Sequence, residues 1–371
     1  MLRSLHPDER LNIWEIGLVF NSQFTINMTI TILMKEISKM RTSKKLMSAL
    51  LTLFTLVVVS GAALAAEPGL PYPLTSEASD QKAGSVLFYN YYTSNAVQPD
   101  NHDSRICITN TSSTSGAFVH LFFVEDRTCS VADSYICLTA NQTACFLASE
   151  VDPGVSGYVV AIAVDAIGCP ISFNFLIGDE YFKQPPGHHA NLGAIAFAAL
   201  YDGVLPGCDA NSVTALLLFD GVFYNRVARA LAVSSIASRA DGNDTLLIIN
   251  RFGGNLLTGA SVIGPVFGIF YDDAENPLSF TFPAFVCQFR SIISNGFPRL
   301  TPRFERFIPA GRSGWFKFWA ANNFGLLGAI VNNNDGQGED SQTGAFSGGH
   351  NLHHLTLTNE AYLIPIFPPN C

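Results

Sequence analysis

The chain is short of charge, of basic clusters, of metal-knuckle cysteine pairs and of catalytic signatures, and each shortage removes a class of function. Charged residues make up 14% of the 371 positions and aromatic residues 12%. So much aromatic content excludes a disordered chain. The formal charge of −9 gives no electrostatic footprint for nucleic acid, and no polybasic stretch addresses anionic lipid. No Cys-x-x-Cys spacing occurs among the 8 cysteines, which excludes a zinc knuckle. Gly154-Val155-Ser156-Gly157 and Gly311-Arg312-Ser313-Gly314 bring the second glycine one place too early for a nucleophile elbow and lead into apolar strands, so both read as turns. No phosphate-binding glycine loop, paired carboxylates or Cys–His arrangement stands out. Long amphipathic helices are missing too. Ala194 to Leu200 and Val227 to Ser238 are the best helical segments, and both are short enough for an all-β context to make them strands.

What is present begins at Met40. Met40-Arg41-Thr42-Ser43-Lys44-Lys45 is a basic start, Leu46 to Val59 an uncharged apolar run, and Ala63-Leu64-Ala65 a small-residue exit. These three parts in this order predict a signal peptide over 40–65. Residues 1–39 then have no natural role, and the expectation is an upstream extension, with translation starting at Met34 or Met40. Removing residues 1–65 takes 7 of the 21 Lys and Arg and 4 of the 30 Asp and Glu, and leaves 306 residues with a formal charge of −12. The predicted location is secreted, periplasmic or cell-surface, without stable membrane association after cleavage.

All 8 cysteines follow the leader, and an even count in an exported chain predicts disulfides. Eight cysteines allow about 105 full pairings. Cys129 with Cys137 would close a local loop, and Cys287 with Cys371 would tie down the C-terminus.

Abundant Phe, Gly and Asn, with short apolar runs between turn residues, predict an all-β protein. Phe118, His120, Phe122 and Val124 would share one face of a strand and Val119, Leu121 and Phe123 the other. Such a strand, apolar on both faces, belongs between two layers or at a domain interface. Five segments of the first half recur in order in the second. Ser85 to Asn90 parallels Ala215 to Asp220, and Arg105 to Asn110 parallels Leu246 to Asn250. Val119 to Phe123 parallels Phe267 to Tyr271, each followed by acidic residues. Ser156-Gly157-Tyr158 parallels Ser313-Gly314-Trp315, and Gly187 to Leu192 parallels Gly349 to Leu352 with a two-residue gap. The expected fold is therefore two tandem, duplication-related β-sandwich domains, Ig-like or similar, at 84–205 and 212–371. The seam falls at the Pro206-Gly207 turn, and 66–83 forms a flexible lead-in.

Three groups are candidate sites. His350, His353 and His354, echoed by His188 and His189, would bind Zn²⁺ or Cu²⁺ if a carboxylate or third histidine joined His350 and His354 on one strand face. Against this stands a turn whose histidines cap backbone groups. Asn332 to Asp340 is rich in oxygen ligands for Ca²⁺ but lacks the register of an EF-hand loop, and reads equally as a solvated loop. Trp315, Lys317 and Trp319 alternate onto one strand face, where they would stack on a sugar or a protein partner if exposed and form core if buried. The repeat style resembles bacterial secreted proteins in general, with no motif that specifies a family. The sequence thus points first to an exported non-catalytic β protein for surface adhesion, assembly or ligand binding, with protein or glycan partners. The alternatives are a metal-dependent secreted enzyme built on the histidines and a carbohydrate-binding module using Trp315 and Trp319.

Overall fold

The computed structural model describes residues 70–71, 77–334 and 347–371. The extension expected at 1–39, the signal peptide expected at 40–65 and positions 335–340 of the oxygen-rich loop lie outside the described residues. The strands of the first half are β1 (Leu70–Pro71), β2 (Val86–Thr93), β3 (Asp103–Asn110), β4 (Ala117–Glu125), β5 (Val131–Leu138), β6 (Thr143–Leu147), β7 (Ser156–Val164), β8 (Leu176–Gln184), β9 (His188–Gly193) and β10 (Ile195–Phe197). Those of the second half are β11 (Thr214–Phe219), β12 (Val227–Ala237), β13 (Asn243–Arg251), β14 (Gly254–Asn255), β15 (Gly259–Ala260), β16 (Gly264–Asp272) and β17 (Pro277–Ala284). They continue with β18 (Gln288–Ile292), β19 (Ser313–Ala320), β20 (Leu326–Asn334), β21 (Gly348–Asn351), β22 (His353–Thr358) and β23 (Glu360–Pro365). Single helical turns at α1 (Ala148–Val151) and α2 (Phe304–Phe307) interrupt them. Both segments weighed as helices, around 194–200 and 227–238, contain strands, β10 and β12.

The expectation of an all-β chain holds. The strands form five sheets, and every ladder is antiparallel except that of β14 with β23. Two separate sandwiches would need only four sheets and two cores. Here the sheets share a core, because the largest apolar cluster runs from Ala78 to Ile364 through both halves. The described residues all belong to one compact unit.

The first half contributes a sheet ordered β10-β2-β7-β4-β5 and a second ordered β6-β3-β8-β9. The second half contributes β22-β12-β19-β16-β17, with β1 added outside β22, and β18-β13-β20-β21. Counted from β2 and from β12, the two orders are the same strand for strand once β14 and β15 are set aside. The fifth sheet is β11-β23-β14-β15.

Strand alternation explains the layering. In β4, Val119, Leu121 and Phe123 enter the cluster shared with Ile106 and Ile108 of β3. Phe122 and Val124 enter the large cluster with Leu217 and Phe219 of β11. In β7, Val159, Ala161 and Ala163 take the first side, and Tyr158, Val160 and Ile162 the second. A strand apolar on both faces is thus the middle layer, as its sequence predicts.

Four disulfides staple this unit: Cys107–Cys145, Cys129–Cys287, Cys137–Cys371 and Cys169–Cys208. The pairings Cys129–Cys137 and Cys287–Cys371 are therefore corrected. Extended β5 separates Cys129 from Cys137 by roughly 25 Å, so each reaches into the second half of the chain instead. Part of the expected flexible lead-in is docked: Ala78 is buried in the core, and Ser79 exchanges two backbone hydrogen bonds with Ala196. Buried amides join the halves. Gln288 Nε2 donates to the carbonyls of Asn90 and Gly157 and to Asn250 Oδ1 at 2.8–3.1 Å.

Candidate functional site

The three C-terminal histidines do gather at one place, though not by strand alternation. His350 lies in β21 in a four-stranded sheet, the chain crosses at buried Leu352, and His353 opens β22 in the six-stranded sheet. The crossing brings the rings of His350 and His353 to 5.7 Å, centroid to centroid. His354 stands opposite Leu231, and His353 opposite Ala232. The pairing of His350 with His354 on one strand face is thus replaced by that of His350 with His353. All three line an open cleft of about 570 Å³ together with Ser79, Asp80 and Ser234. Burial pulls the His354 imidazole down to about 4, against the upward pull of Asp80 and Glu77, and His353 adds to the fall. His350 Nδ1 donates to the Asn351 carbonyl at 2.8 Å.

The metal reading needs a third ligand. Among the described residues, no group of three or more His, Cys, Asp or Glu side chains is arranged to hold a metal ion. Asp80, the carboxylate in the cleft, is engaged by Asn351 Nδ2 at 2.8 Å. The histidines of the first half behave as turn residues. His189 Nδ1 donates to the Gly187 carbonyl at 2.9 Å, and buried His188 donates to that of Asp244 at 2.9 Å. In the oxygen-rich loop, the described amides serve the sheet: Thr245 Oγ1 donates to Asn332 Oδ1, and the Nδ2 groups of Asn332 and Asn334 donate to Asn243 Oδ1.

The tryptophans form the second site. Along β19, Phe316, Phe318 and Ala320 are buried inward, while Trp315, Lys317 and Trp319 are half-buried on the outer face. Antiparallel register places Tyr271 opposite Trp315, Ile269 opposite Lys317 and Phe267 opposite Trp319. Trp315 and Tyr271 stack at 4.4 Å with an 11° interplanar angle, and Phe267 and Trp319 approach to 5.2 Å. On the other flank, β12 sets Ala232 and Ala230 opposite Lys317 and Trp319. The result is an aromatic ridge beside a floor of small residues, with the two tryptophans about 13 Å apart along the strand. The alternation of Phe267, Ile269 and Tyr271 was available in the sequence as the signal for the second row of this ridge.

Two further groups carry no obvious sequence signal. Buried His120 lies between Asp133, 3.0 Å from Nε2, and the Tyr135 hydroxyl, 3.1 Å from Nδ1. Its burial lowers its basicity while Asp133 opposes the shift. This cluster holds the C-terminal tail, with Phe367 packed at 5.0 Å on His120 beside the Cys137–Cys371 bridge. Glu180, 1% exposed, accepts from the Tyr91 N–H through Oε1 at 3.1 Å, and its Oε2 has no hydrogen-bond partner.

No protein-family model and no curated protein matches the chain. Among solved structures, the crystal structure of Thermotoga maritima 1070 matches with 9% identity over 31% of this chain and 95% of that chain, at a TM-score of 0.24. A likeness so slight carries no argument about fold or function.

Proposed function

We propose that the chain is an exported, non-catalytic binding protein built from a duplicated pair of β-sheets, and that it binds through the outer aromatic face of its six-stranded sheet. The observation that carries this reading is the partly exposed ridge of Trp315, Trp319, Tyr271 and Phe267 around Lys317. Aromatic rings left partly wet on a sheet face mark interaction surfaces more often than solvent-facing decoration. Four intramolecular disulfides with no free cysteine suit an oxidising compartment, and among the described residues no helix is long and apolar enough to cross a membrane.

The duplication is supported by the matching strand orders and by a shared close contact. A Cβ on Gly157 would lie 1.7 Å from the Val124 carbonyl oxygen, and one on Gly314 2.6 Å from that of Tyr271. Both glycines occupy the same place in their sheets, opposite Glu125 and Asp272. Five sheets also match the count of a five-bladed propeller. A propeller builds each blade from consecutive strands, whereas the strands here interleave between paired sheets, which favours two β-sandwich-like layers in each half.

A carbohydrate ligand is the second reading, favoured by the tryptophan spacing; Tyr271, however, already covers one face of Trp315. Emission from Trp315 and Trp319 tests the proposal, because Trp14 is the only other tryptophan. A blue shift and protection from acrylamide are expected on adding glycans or concentrated protein, both lost in Trp315→Ala/Trp319→Ala. A face that responds to neither removes the reading. N-terminal sequencing of exported protein should begin at Ala66.

A further inference from the structure

We infer that the occupant of the aromatic face is a second copy of this chain, seated head to tail, with its fifth sheet against the neighbour's six-stranded sheet. This rests on the reading of that face as the binding surface. The warrant comes from what covers the equivalent face in the first half. Aligning Gly157 with Gly314 places Tyr158, Val160 and Ile162 where the second half has Trp315, Lys317 and Trp319, and Phe122 and Val124 where it has Ile269 and Tyr271. The five first-half residues are fully buried. They belong to the cluster that holds Leu217 and Phe219 of β11 and Tyr362 and Ile364 of β23. Rings continue the seam: Phe88 packs on Tyr158 at 5.0 Å and on Phe252 at 5.6 Å, and Phe252 packs on Phe219 at 4.7 Å and Tyr362 at 4.8 Å. The fifth sheet therefore shares a core with this kind of face, joined to it through Phe88 and Phe252. It does so once within the chain, and the second such face stays partly open.

The fifth sheet has another side to offer. In β11 the inward residues Ala215, Leu217 and Phe219 are buried, while Leu216 is 50% exposed and Leu218 partly so. Opposite them in β23 stand Leu363 and Ala361, both partly exposed, and Val213 beside the strand is 77% exposed. A contiguous exposed apolar strand pair of this kind is rare on a surface without a partner. Charge permits the match. The chain carries −9 overall, yet the residues named on both faces include no carboxylate, and Lys317 is central to one of them. Two acidic copies meet most cheaply where neither presents acid.

The two surfaces differ, so the contact is heterologous and grows into a chain of copies instead of closing as a symmetric pair. A strand pair set against a three-stranded face makes a patch at the small end of specific interfaces. Association is thus expected to depend on concentration.

Sedimentation velocity on the oxidised protein tests this with Leu216→Glu on one face and Lys317→Glu or Trp319→Ser on the other. Wild-type mass should rise more than about two-fold between roughly 1 and 100 μM. Each single variant should stay monomeric with an unchanged circular dichroism spectrum. Mixing Leu216→Glu with Lys317→Glu should restore one interface and stop at a 1:1 pair. A wild type that closes at a dimer, with no pair in the mixture, overturns the head-to-tail arrangement. A wild type that stays monomeric overturns the second copy as occupant. If glycans then still shift the tryptophan emission, the face reading survives without it; if nothing shifts it, both fall.

Discussion

Replacing Glu180 by Gln should stabilise the protein more and more as the pH rises. The side chain is 1% exposed in β8, between Ile106 and Leu192 on the flanking strands. Burial holds its carboxyl well above the usual range, Asp179 pushes the same way, and the Tyr91 N–H opposes them. The folded state therefore keeps a proton that the unfolded chain releases at about pH 4.3. Stability from this group is fully present below that value and is lost as pH rises toward the folded-state value, at about 1.4 kcal/mol per pH unit. Gln keeps the acceptor for Tyr91 and has nearly the same shape. Its amide meets the same partnerless surroundings as the neutral acid's O–H, so the two proteins should agree within about 1 kcal/mol near pH 4.5. Between pH 5 and 7 the variant should gain up to about 2.7 kcal/mol on the wild type, for as long as the buried acid keeps its proton. Urea unfolding of both proteins at four pH values, compared as a difference, cancels every other titrating group. A gap that stays constant, or that narrows as pH rises, would mean the carboxylate is ionised and held by a partner, and the reasoning would fail.

His354 should act in the opposite sense. Its folded value is depressed to about 4, so its contribution is present above about pH 6.5 and lost as pH falls toward 4, by about 3 kcal/mol. His354→Gln should flatten that acid limb, and equal acid limbs in the two proteins would refute it. Removing Cys129–Cys287, which spans 158 residues, should cost roughly 5 kcal/mol by chain entropy, against roughly 4 for Cys107–Cys145, which spans 38; unfolding midpoints of the Cys→Ala pairs check the order. Gly157→Ala should cost at least about 2 kcal/mol and more than Gly314→Ala, because its Cβ would meet a carbonyl oxygen at 1.7 Å instead of 2.6 Å. Val160→Lys should fail to give folded protein, since it buries an unpaired charge. Lys317→Val, at the equivalent place, should change monomer stability by no more than about 1 kcal/mol. Soluble yield and thermal midpoints measure both.

Strand existence was legible wherever alternation was strong, because burial on a sheet imposes a period of two residues. Four of the five internal matches fall on strands that occupy equivalent places: β3 with β13, β4 with β16, β7 with β19 and β9 with β21. The first does not. Ser85 to Asn90 lies mostly in β2, whose counterpart is β12, while Ala215 to Asp220 lies mostly in β11 of the fifth sheet. Apolar runs of six residues look alike whichever sheet they join, so composition misassigned it. The match of Val119 to Phe123 with Phe267 to Tyr271 is one residue out of register, since sheet pairing sets Val124 against Tyr271. A slip of one residue exchanges the two faces of a strand, which hid the relation between the covered and open faces. Trp315 and Trp319 were found because alternation along one strand is local information. The histidine geometry was not, because a change of sheet at Leu352 breaks the alternation on which it relied. The disulfides depend on which distant ends the fold brings together, and no spacing encodes that.

The two halves carry the same sheet order but opposite demands at one face, and the residues record the difference. Where the face shares a core with the fifth sheet, the middle strand reads Tyr158, Val160, Ile162, all fully buried. Where nothing within the described residues is seen to cover it, the same strand reads Trp315, Lys317, Trp319, and β12 beside it keeps alanines at 230 and 232. A face destined only for solvent would gain by exchanging its rings for small polar residues, as the neighbouring edge strand does with Ser279 and Thr281, both exposed. A face destined for permanent burial would have little place for a lysine, and Lys317 is half-buried here. Amphipathic aromatics around one lysine suit a face that is wet in the free chain and covered in the proposed contact. That composition suits the reversible association proposed for this face.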